Sequence, residues 1–387
     1  MTNTVNIPTN MLPEDGRFGS GPSKIRPEQV QALDAGARNL LGTSHRQTPV
    51  KQVVGSIREG LSNFFQIPDG YEVVLGNGGA SAFWDIACAS LITRKAAFGT
   101  YGSFSAKFAK SAQSAPFLEN PEIFAGKPGT YRLPELTEYV DAYCWAHNET
   151  STGVAAPVKR VEGSKEQGAL TLIDATSGAG ALNVDISQTD AYYFSPQKAF
   201  GSDGGLWIAV LSPAAIDRAY GIAKSVSLPG ARRWIPPFLS LTSAIENSRK
   251  DQTLNTPAVA TLVMLENQVR WLNDNGGLAW ATARCARSAS LLTSGRRGPI
   301  TRSRSFPTKT HVPTPWSPST LTRASTLPKW SPRCARTALW TPTATASSAA
   351  TSCASACFRP WSRATSRRLR SASITWPSTC DARTEVR

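Results

Sequence analysis

Lys198 belongs to a residue type that can act as a covalent nucleophile, and its position after an apolar run favours that role. The run Ala191–Ser195 suits a short buried strand, which Pro196 ends because proline has no N–H to donate to a sheet ladder. An amine at the end of a buried strand is partly desolvated, and desolvation lowers its pKa toward the nucleophilic neutral form. For Lys198 taken alone, a solvated loop lysine is the better interpretation.

Asp174 changes that interpretation, because it follows a second buried run, Ala169–Ile173. In an open α/β sheet, residues just past the carboxyl ends of the strands converge on one crevice. Pyridoxal phosphate requires a lysine that forms a Schiff base and a carboxylate that keeps the pyridine nitrogen protonated. Asp174 by itself is equally typical of a helix cap or a turn. The two residues together predict a site for pyridoxal 5'-phosphate.

A glycine-rich turn between a strand and a helix could hold the phosphate of such a cofactor. The strand is Tyr71–Leu75, the turn is Gly76–Ser81, and the helix is Ala82–Leu91. Glycines let backbone N–H groups approach an anion, and the helix N-terminus adds partial positive charge. The turn matches neither a Walker A loop nor Gly-x-Gly-x-x-Gly, and glycine turns also serve packing.

Other polar or aromatic residues have two interpretations each. Phe104 could present its ring to a flat ligand or pack in the core. Thr150, after the predicted strand Val140–Ala146, could bind a polar ligand or cap a turn. His45 and Arg46 could clamp an anion, although the residues alone favour a polar loop between two helices.

The positive charge of the chain is concentrated at one end. The whole chain has 42 Lys+Arg against 27 Asp+Glu, and residues 293–387 contribute 16 and 2 of these, a net charge of +14. Residues 1–292 therefore have 26 and 25, a net charge of +1. The total charge of +15 suggests nucleic acid as a partner, but the body is an ordinary globular chain that can bury a sizeable core.

The sequence indicates neither export nor a membrane. The N-terminus lacks a basic segment followed by an apolar core, and no apolar run approaches the length of a bilayer span. In the body, Cys88, Cys144 and Cys285 are widely spaced, which implies neither a disulfide framework nor a metal site. We therefore expect a cytoplasmic protein with no metal, no membrane partner and no nucleic-acid partner.

Seven motifs in the chain resemble those of the phosphoserine aminotransferases, in the actinobacterial branch of these class V, fold-type I enzymes. The motifs are Phe18-Gly-Ser-Gly-Pro22, Gly42-Thr-Ser-His-Arg46, Leu75-Gly-Asn-Gly-Gly-Ala80, His147-Asn-Glu-Thr150, Asp174-Ala-Thr-Ser-Gly178, Ser195-Pro-Gln-Lys198 and Asn255-Thr-Pro257. The resemblance covers nearly all of residues 15–292. Seven motifs in the family's order are far more specific than any one glycine loop.

The resemblance implies a fold and a reaction. The fold is α/β, with a large domain built on a mainly parallel, seven-stranded sheet flanked by helices. The reaction transfers an amino group from glutamate to 3-phosphohydroxypyruvate, giving O-phospho-L-serine and 2-oxoglutarate, and His45 and Arg46 are implied to bind the anionic groups of these substrates. The alternatives are another class V aminotransferase, such as one acting on alanine and glyoxylate, and a non-catalytic basic protein that binds nucleic acid through its tail.

The resemblance also implies which residues hold the cofactor ring. Lys198 is implied to form the Schiff base and to shuttle the proton between the substrate Cα and the cofactor. Asp174 is implied to pair with the pyridinium nitrogen. Phe104 is implied to stack on the ring where relatives carry Trp, and Thr150 to bond the ring hydroxyl.

Five further residues are implied to bind the cofactor phosphate. Ala80 and Ser81 are implied to donate backbone N–H groups to it, with Gln197 beside them. Asn255 and Thr256 are implied to reach the phosphate in the neighbouring subunit, which makes a homodimer part of the site.

The family pattern stops after Leu292, which divides the chain into an N-terminal segment 1–15, a cofactor-binding domain 16–292 and an aberrant basic tail 293–387. A relative would continue with a small domain and a Tyr-Arg-Lys-Leu-Gly-Arg-Asn run. We expect that small domain to be lost or disordered here. Low hydrophobicity and high net charge suit a disordered tail, but its five tryptophans and four cysteines do not.

A shift of reading frame is the sharper interpretation of the tail. Codons can be chosen for Trp340–Ala354 that, regrouped with one preceding base, spell V-D-T-D-S-Y-R-K-L-G-R-N-Q-L-R, which includes the missing family run. Trp316–Thr322 can likewise be regrouped to V-V-A-I-D-F-D, a plausible missing strand. Two such matches, in the right order and at the right separation, favour translation out of frame over a disordered tail, with impaired activity for the chain as written.

Overall fold

The computed structural model describes residues 8–13, 15, 17 and 19–295. Phe18 of the first motif lies outside these residues. Most of the predicted N-terminal segment 1–15 and residues 296–387 of the predicted tail also lie outside them.

The described chain alternates strands and helices over most of its length. The helices are α1 Pro27–Leu40, α2 Thr48–Phe65, α3 Ala80–Ser90, α4 Ser103–Ser114, α5 Pro213–Val226, α6 Leu241–Ser248, α7 Val259–Asp274 and α8 Gly277–Gly295. The strands are β1 Glu72–Asn77, β2 Ala96–Thr100, β3 Glu122–Ala125, β4 Ala142–Ala146, β5 Asn148–Glu149, β6 Val154–Ala155, β7 Leu170–Asp174, β8 Ala191–Phe194 and β9 Leu206–Leu211. Within the described ranges, none of the helices is long and apolar enough to cross a membrane.

One sheet of seven strands, in the order β1-β9-β8-β7-β4-β2-β3, organises the fold. Strand β9 runs antiparallel to both of its neighbours, β1 and β8, and the other neighbouring strands pair in parallel. The predicted α/β fold with a mainly parallel seven-stranded sheet is therefore confirmed.

Helices cover both faces of this sheet, which explains why its inner strands read as continuous apolar runs. Side chains alternate between the faces, so that Val73 and Leu75 join one core cluster and Val74 joins the other. The first cluster receives apolar residues of α2 and α7, and the second receives those of α3, α4, α5 and α6.

Several predicted elements differ from the structure at their ends. The helix predicted over Ala82–Leu91 runs from Ala80 to Ser90 instead, because the extended residue before it, the N-cap, is Gly79. Strand β3 was not predicted, since its alternate residues are only half-buried at the edge of the sheet. The strand predicted over Val140–Ala146 ends at Ala146 as predicted and begins two residues later, at Ala142.

Candidate active site

Asp174 is the last residue of β7 and is buried, with three hydrogen bonds to its carboxylate. Oδ1 accepts from the backbone N–H of Thr176 at 3.0 Å and from its hydroxyl at 2.7 Å. Oδ2 accepts from the indole Nε1 of Trp84 at 2.8 Å. All three donors are neutral, so they orient the carboxylate without supplying a countercharge.

Burial is the main influence on the ionisation of Asp174. It raises the pKa of the carboxyl, because a charged group loses hydration in the protein interior. The hydrogen bonds from Thr176 and Trp84 act in the opposite direction, and the nearby charge of Glu149 adds to the rise. A cation placed against Asp174 would act against the effect of burial, because it favours the ionised carboxylate.

Lys198 lies in the loop that follows β8, the parallel neighbour of β7. Asp174 pairs in register with Tyr193 of β8, and Lys198 comes shortly after that strand ends. Its Nζ donates to the carbonyl oxygen of Ser20 at 2.7 Å. Burial lowers the pKa of this amine, as expected for a lysine that must reach its neutral form to act as a nucleophile.

The glycine loop before α1 packs directly on Lys198. Gly21 has a φ of +123°, and a Cβ added there would lie 2.9 Å from Lys198 Nζ. The backbone N–H of Ser23 also donates to the carbonyl of Gln197 at 2.7 Å. The first motif of the sequence is therefore joined to the lysine motif, although the two are far apart along the chain.

The predicted phosphate cradle is the N-terminus of α3. Gly79 is the N-cap, and Ala80 and Ser81 are the first two helical residues, so their N–H groups have no partner within the helix. Gly78 has a φ of +117°, which L side chains rarely adopt, and its N–H donates to the carbonyl of Gly205 at 3.0 Å. The geometry is that of an anion site at a helix N-terminus.

Two adjacent residues, Glu149 and Thr150, make separate polar contacts near Phe104 and Ser177. The carboxylate of Glu149 accepts from the N–H groups of Phe104 and Ser105, at 3.3 and 2.8 Å, and so caps the start of α4. The adjacent Thr150 donates its hydroxyl proton to Ser177 Oγ at 2.7 Å. Phe104 itself is 40% exposed, so its ring has a free surface on the described chain.

The predicted substrate and subunit residues meet at His45. Its Nδ1 lies 3.1 Å from the hydroxyl of Thr256, and the carbonyl of Thr256 accepts from Asn77 Nδ2 at 3.1 Å. Burial, together with the charge of Arg46, lowers the pKa of His45. Arg46 and Asn255 are exposed, and the described contacts join neither side chain to Asp174 or Lys198.

Several residues that contact this site were not predicted from the sequence. Trp84 and Ser177 bond predicted residues directly, Glu149 caps the helix of Phe104, and Ser20 accepts from Lys198. A weak signal existed for Trp84, because it lies one helical turn after Ala80 on a helix expected to pack on the sheet. The other three lie within the motifs Phe18–Pro22, His147–Thr150 and Asp174–Gly178, but the sequence assigned them no role of their own.

The donor set fits pyridoxal 5'-phosphate. Among the described residues, no cation pairs with Asp174, and the protonated pyridine nitrogen would supply one, while the α3 N-terminus suits the phosphate. In addition, Gln197 Oε1 is buried and makes no hydrogen bond among the described residues. The described part of the chain contains no group of three or more His, Cys, Asp or Glu residues placed to hold a metal ion.

Comparison with known proteins agrees with this fit. The sequence profile of the family described as Aminotransferase class-V matches residues 18–295. A putative phosphoserine aminotransferase of Mycobacterium leprae is 56% identical over 292 residues, and a phosphoserine aminotransferase of Corynebacterium glutamicum is 55% identical over 292 residues. Each match covers 76% of this chain and 76% of the relative.

Solved structures share the fold at lower sequence identity. A phosphoserine aminotransferase of Cytophaga hutchinsonii superposes with a TM-score of 0.62 at 22% identity, covering 72% of this chain and 76% of that one. An alanine–glyoxylate aminotransferase of Nostoc gives 0.61 at 18% identity, covering 78% and 79%. At these identities the structures establish the fold and do not distinguish between substrates.

The fold and the site define an enzyme of the pyridoxal-phosphate-dependent, fold-type I class. The chain belongs to the class V aminotransferase family, and its matched curated relatives are phosphoserine aminotransferases. The predicted family is therefore confirmed, whereas the roles of the individual residues stay predictions.

Proposed function

We propose that this chain derives from a cytoplasmic phosphoserine aminotransferase of serine biosynthesis, which uses pyridoxal 5'-phosphate to move an amino group from glutamate to 3-phosphohydroxypyruvate. The observation that carries the proposal is the position of two residues at the ends of neighbouring parallel strands. Asp174 is buried without a countercharge among the described residues, and Lys198 is half-buried just beyond the next strand. The identity of 55–56% to phosphoserine aminotransferases supports the choice of substrates.

The residues of the chain divide the work by position. The bound cofactor supplies an electron sink for the carbanion at the substrate Cα. Lys198, with its lowered pKa, is placed to give up and take back a proton, because its amine is held by a single carbonyl contact to Ser20. Asp174 would hold the protonated ring nitrogen of the bound cofactor, and the α3 N-terminus would hold its phosphate.

Substrate recognition is assigned to the loop between α1 and α2. His45 is buried and presents an Nε2 atom without a hydrogen bond among the described residues, while Arg46 is exposed. A guanidinium binds carboxylate or phosphate groups with two parallel hydrogen bonds, which suits both proposed substrates.

We also propose a homodimer in which Asn255 and Thr256 reach the cofactor phosphate of the neighbouring subunit. Both residues are exposed on the described chain, as a contact to a second subunit requires. Thr256 also contacts His45 of its own chain, so it would join the substrate loop of one subunit to the phosphate site of the other.

The proposal includes a shifted reading frame near Leu292. The family profile ends at residue 295, and the matches to the curated relatives stop with about a quarter of each relative's length uncovered. The chain as written would therefore lack the family's small domain and its substrate arginines. We expect expression of the 387-residue chain to give mostly insoluble or clipped product, because the apolar surface that the small domain would cover stays exposed.

The test restores the frame by one base near codon 292 and compares the two products. We expect the restored chain to be a soluble, yellow dimer that transaminates 3-phosphohydroxypyruvate with glutamate. A 387-residue chain that proves soluble, active and resistant to protease through residue 387 would contradict the shifted frame. The DNA sequence around codons 285–295 then shows whether the shift belongs to the gene.

The same preparation separates the alternative functions. Preference for alanine and glyoxylate over the phosphorylated substrate would favour another class V aminotransferase. Steeply salt-dependent binding to nucleic acid, with no cofactor absorbance, would favour the non-catalytic basic protein. Failure of the restored chain to bind pyridoxal 5'-phosphate at all would contradict the proposed function.

A further inference from the structure

The two oxygens of the Asp174 carboxylate are held differently. Oδ1 receives both of its bonds from Thr176, two residues further along the same loop. Oδ2 receives a bond from Trp84, which is 90 residues away in sequence, and no other bond to Oδ2 is found among the described residues. The orientation of the carboxylate about its Cβ–Cγ bond is therefore set by Thr176 from the same loop and by Trp84 from another element.

Trp84 is built into the fold at that position. It is only 7% exposed, and its ring stacks on Phe108 of α4 with centroids 6.3 Å apart. A buried indole N–H needs a partner, and Asp174 Oδ2 at 2.8 Å is that partner. This contact therefore gives a hydrogen-bond partner to the buried indole N–H and to the buried carboxylate oxygen.

Trp84 also lies on the helix that forms the phosphate cradle. Ala80 begins α3, and Trp84 follows one helical turn later. The same rigid helix thus presents its N-terminus to one end of the cofactor site and an N–H donor to the acid at the other end. The spacing between phosphate site and acid is set by α3 rather than by a loop.

We propose that Trp84 is a positioning residue, whose indole N–H holds Asp174 as an oriented carboxylate for the ring nitrogen of the cofactor. The inference rests on the proposed function, because it assumes that Asp174 faces a protonated pyridine nitrogen. Trp84 itself acts through Asp174 and needs no contact with the cofactor.

The test is a cofactor titration of Trp84→Phe, which keeps an aromatic ring and removes the N–H. Hydrogen bonds to charged groups contribute roughly 1.5–3 kcal/mol, so we expect the dissociation constant for pyridoxal 5'-phosphate to rise about 10-fold to 100-fold. The full-length chain is titrated in its 387-residue and frame-restored forms by cofactor absorbance. Trp145→Phe is the matched control, since its indole donates to Pro157 at 3.1 Å and we place it outside the site.

A cofactor analogue that has carbon in place of the ring nitrogen separates positioning from general packing. With that analogue Asp174 has no cation to hold, so Trp84→Phe and the parent chain should bind it with similar, weak affinity. A packing defect would instead weaken the binding of both compounds by the same factor. Trp84→Leu, which also lacks a donor, serves in the same comparison should Trp84→Phe fail to fold.

The outcomes are distinguishable. Equal affinity of the parent chain and Trp84→Phe for pyridoxal 5'-phosphate would overturn the role of Trp84 and leave the proposed function standing. The same fold-loss with the cofactor and its analogue would also overturn it. No binding of cofactor to the frame-restored parent chain would overturn the proposed function itself.

Discussion

Acidic residues at the two ends of the parallel strands differ in their partners. We call the side of the sheet where these strands begin the amino edge and the side where they end the carboxyl edge. At the amino edge, Asp141 and Asp190 precede strands β4 and β8, and each meets an arginine of the same chain. Arg218 Nη1 lies 3.2 Å from Asp141, and Arg160 Nη1 lies 2.5 Å from Asp190. At the carboxyl edge, the bonds to the Asp174 carboxylate come only from neutral donors.

The difference separates two acids that are paired within the chain from the one that we propose binds the cofactor. A buried charge is costly unless it is paired, and the chain supplies the pairing at the amino edge. At the carboxyl edge, the described chain leaves Asp174 without a cation and keeps Lys198 half-buried. Burial raises the pKa of Asp174 and lowers the pKa of Lys198, and both shifts favour the neutral form of the group. Charged groups that the described chain leaves unpaired are available to a ligand.

The largest effect that we expect is at Lys198 on the carboxyl edge. Lys198→Ala in the frame-restored chain should abolish turnover, because the covalent bond to the cofactor and the proton shuttle are lost together. The measurement is the transamination rate, with borohydride fixation and peptide mapping of the parent chain to locate the labelled lysine. Lys165→Ala, an exposed lysine outside the site, should keep full activity. A label found on another lysine would contradict the assignment.

The comparison of the edges is tested directly by two matched substitutions, Asp190→Asn and Asp174→Asn. Removal of Asp190 leaves the Arg160 guanidinium unpaired at 16% exposure, which should lower the free energy of unfolding by about 3–5 kcal/mol. Asp174→Asn should lower it far less, because no cation is left behind, yet it should weaken cofactor binding. Urea unfolding of the cofactor-free chains measures the loss of stability for both substitutions. Equal losses of stability would remove the distinction between the edges.

The burial of His147, which follows β4 at the carboxyl edge, should make the free energy of unfolding depend on pH. Burial lowers the pKa of its imidazole to about 4, against 6.5 for an exposed histidine. The unfolded chain binds more protons between these values, so the free energy of unfolding should fall as the pH drops from 6.5 to about 4, by roughly 3 kcal/mol in total. Urea unfolding across this range should show a shallower fall for His147→Gln.

A second substitution isolates the imidazole of His147. Its Nδ1 lies 3.1 Å from the hydroxyl of Tyr192. Tyr192→Phe removes that contact but leaves the imidazole buried, so the fall in stability between pH 6.5 and 4 should persist. If His147→Gln keeps the slope of the parent chain, the acid sensitivity belongs to other groups.

The smallest effect that we expect is at Arg46, outside the buried part of the carboxyl edge. Loss of a charge-assisted bond costs about 1.5–3 kcal/mol, so Arg46→Ala should raise KM for 3-phosphohydroxypyruvate or glutamate and leave kcat nearly constant. Arg38→Ala, an exposed arginine on α1, is the control with the same change of charge. Unchanged kinetics with both substrates would return Arg46 to the role of an interhelical loop residue.

The sequence by itself was sufficient to locate most strands and helices that carry the site. Apolar runs such as Leu206–Leu211 are local signals, and a proline such as Pro27 marks a helix start through its own backbone geometry. Lys198 and Asp174 could be proposed as a pair because both follow such runs, and parallel strands end at the same edge of a sheet.

Only the tertiary structure decided which groups hold these residues in place. Trp84 meets Asp174 across 90 residues, and Ser20 meets Lys198 across 178 residues. Such contacts depend on how helices and loops pack on the sheet, which no local pattern records. The contrast between Asp174 and Asp190 has the same origin, because both are aspartates at strand ends in the sequence. Folding brings an arginine to Asp190 and three neutral donors to Asp174.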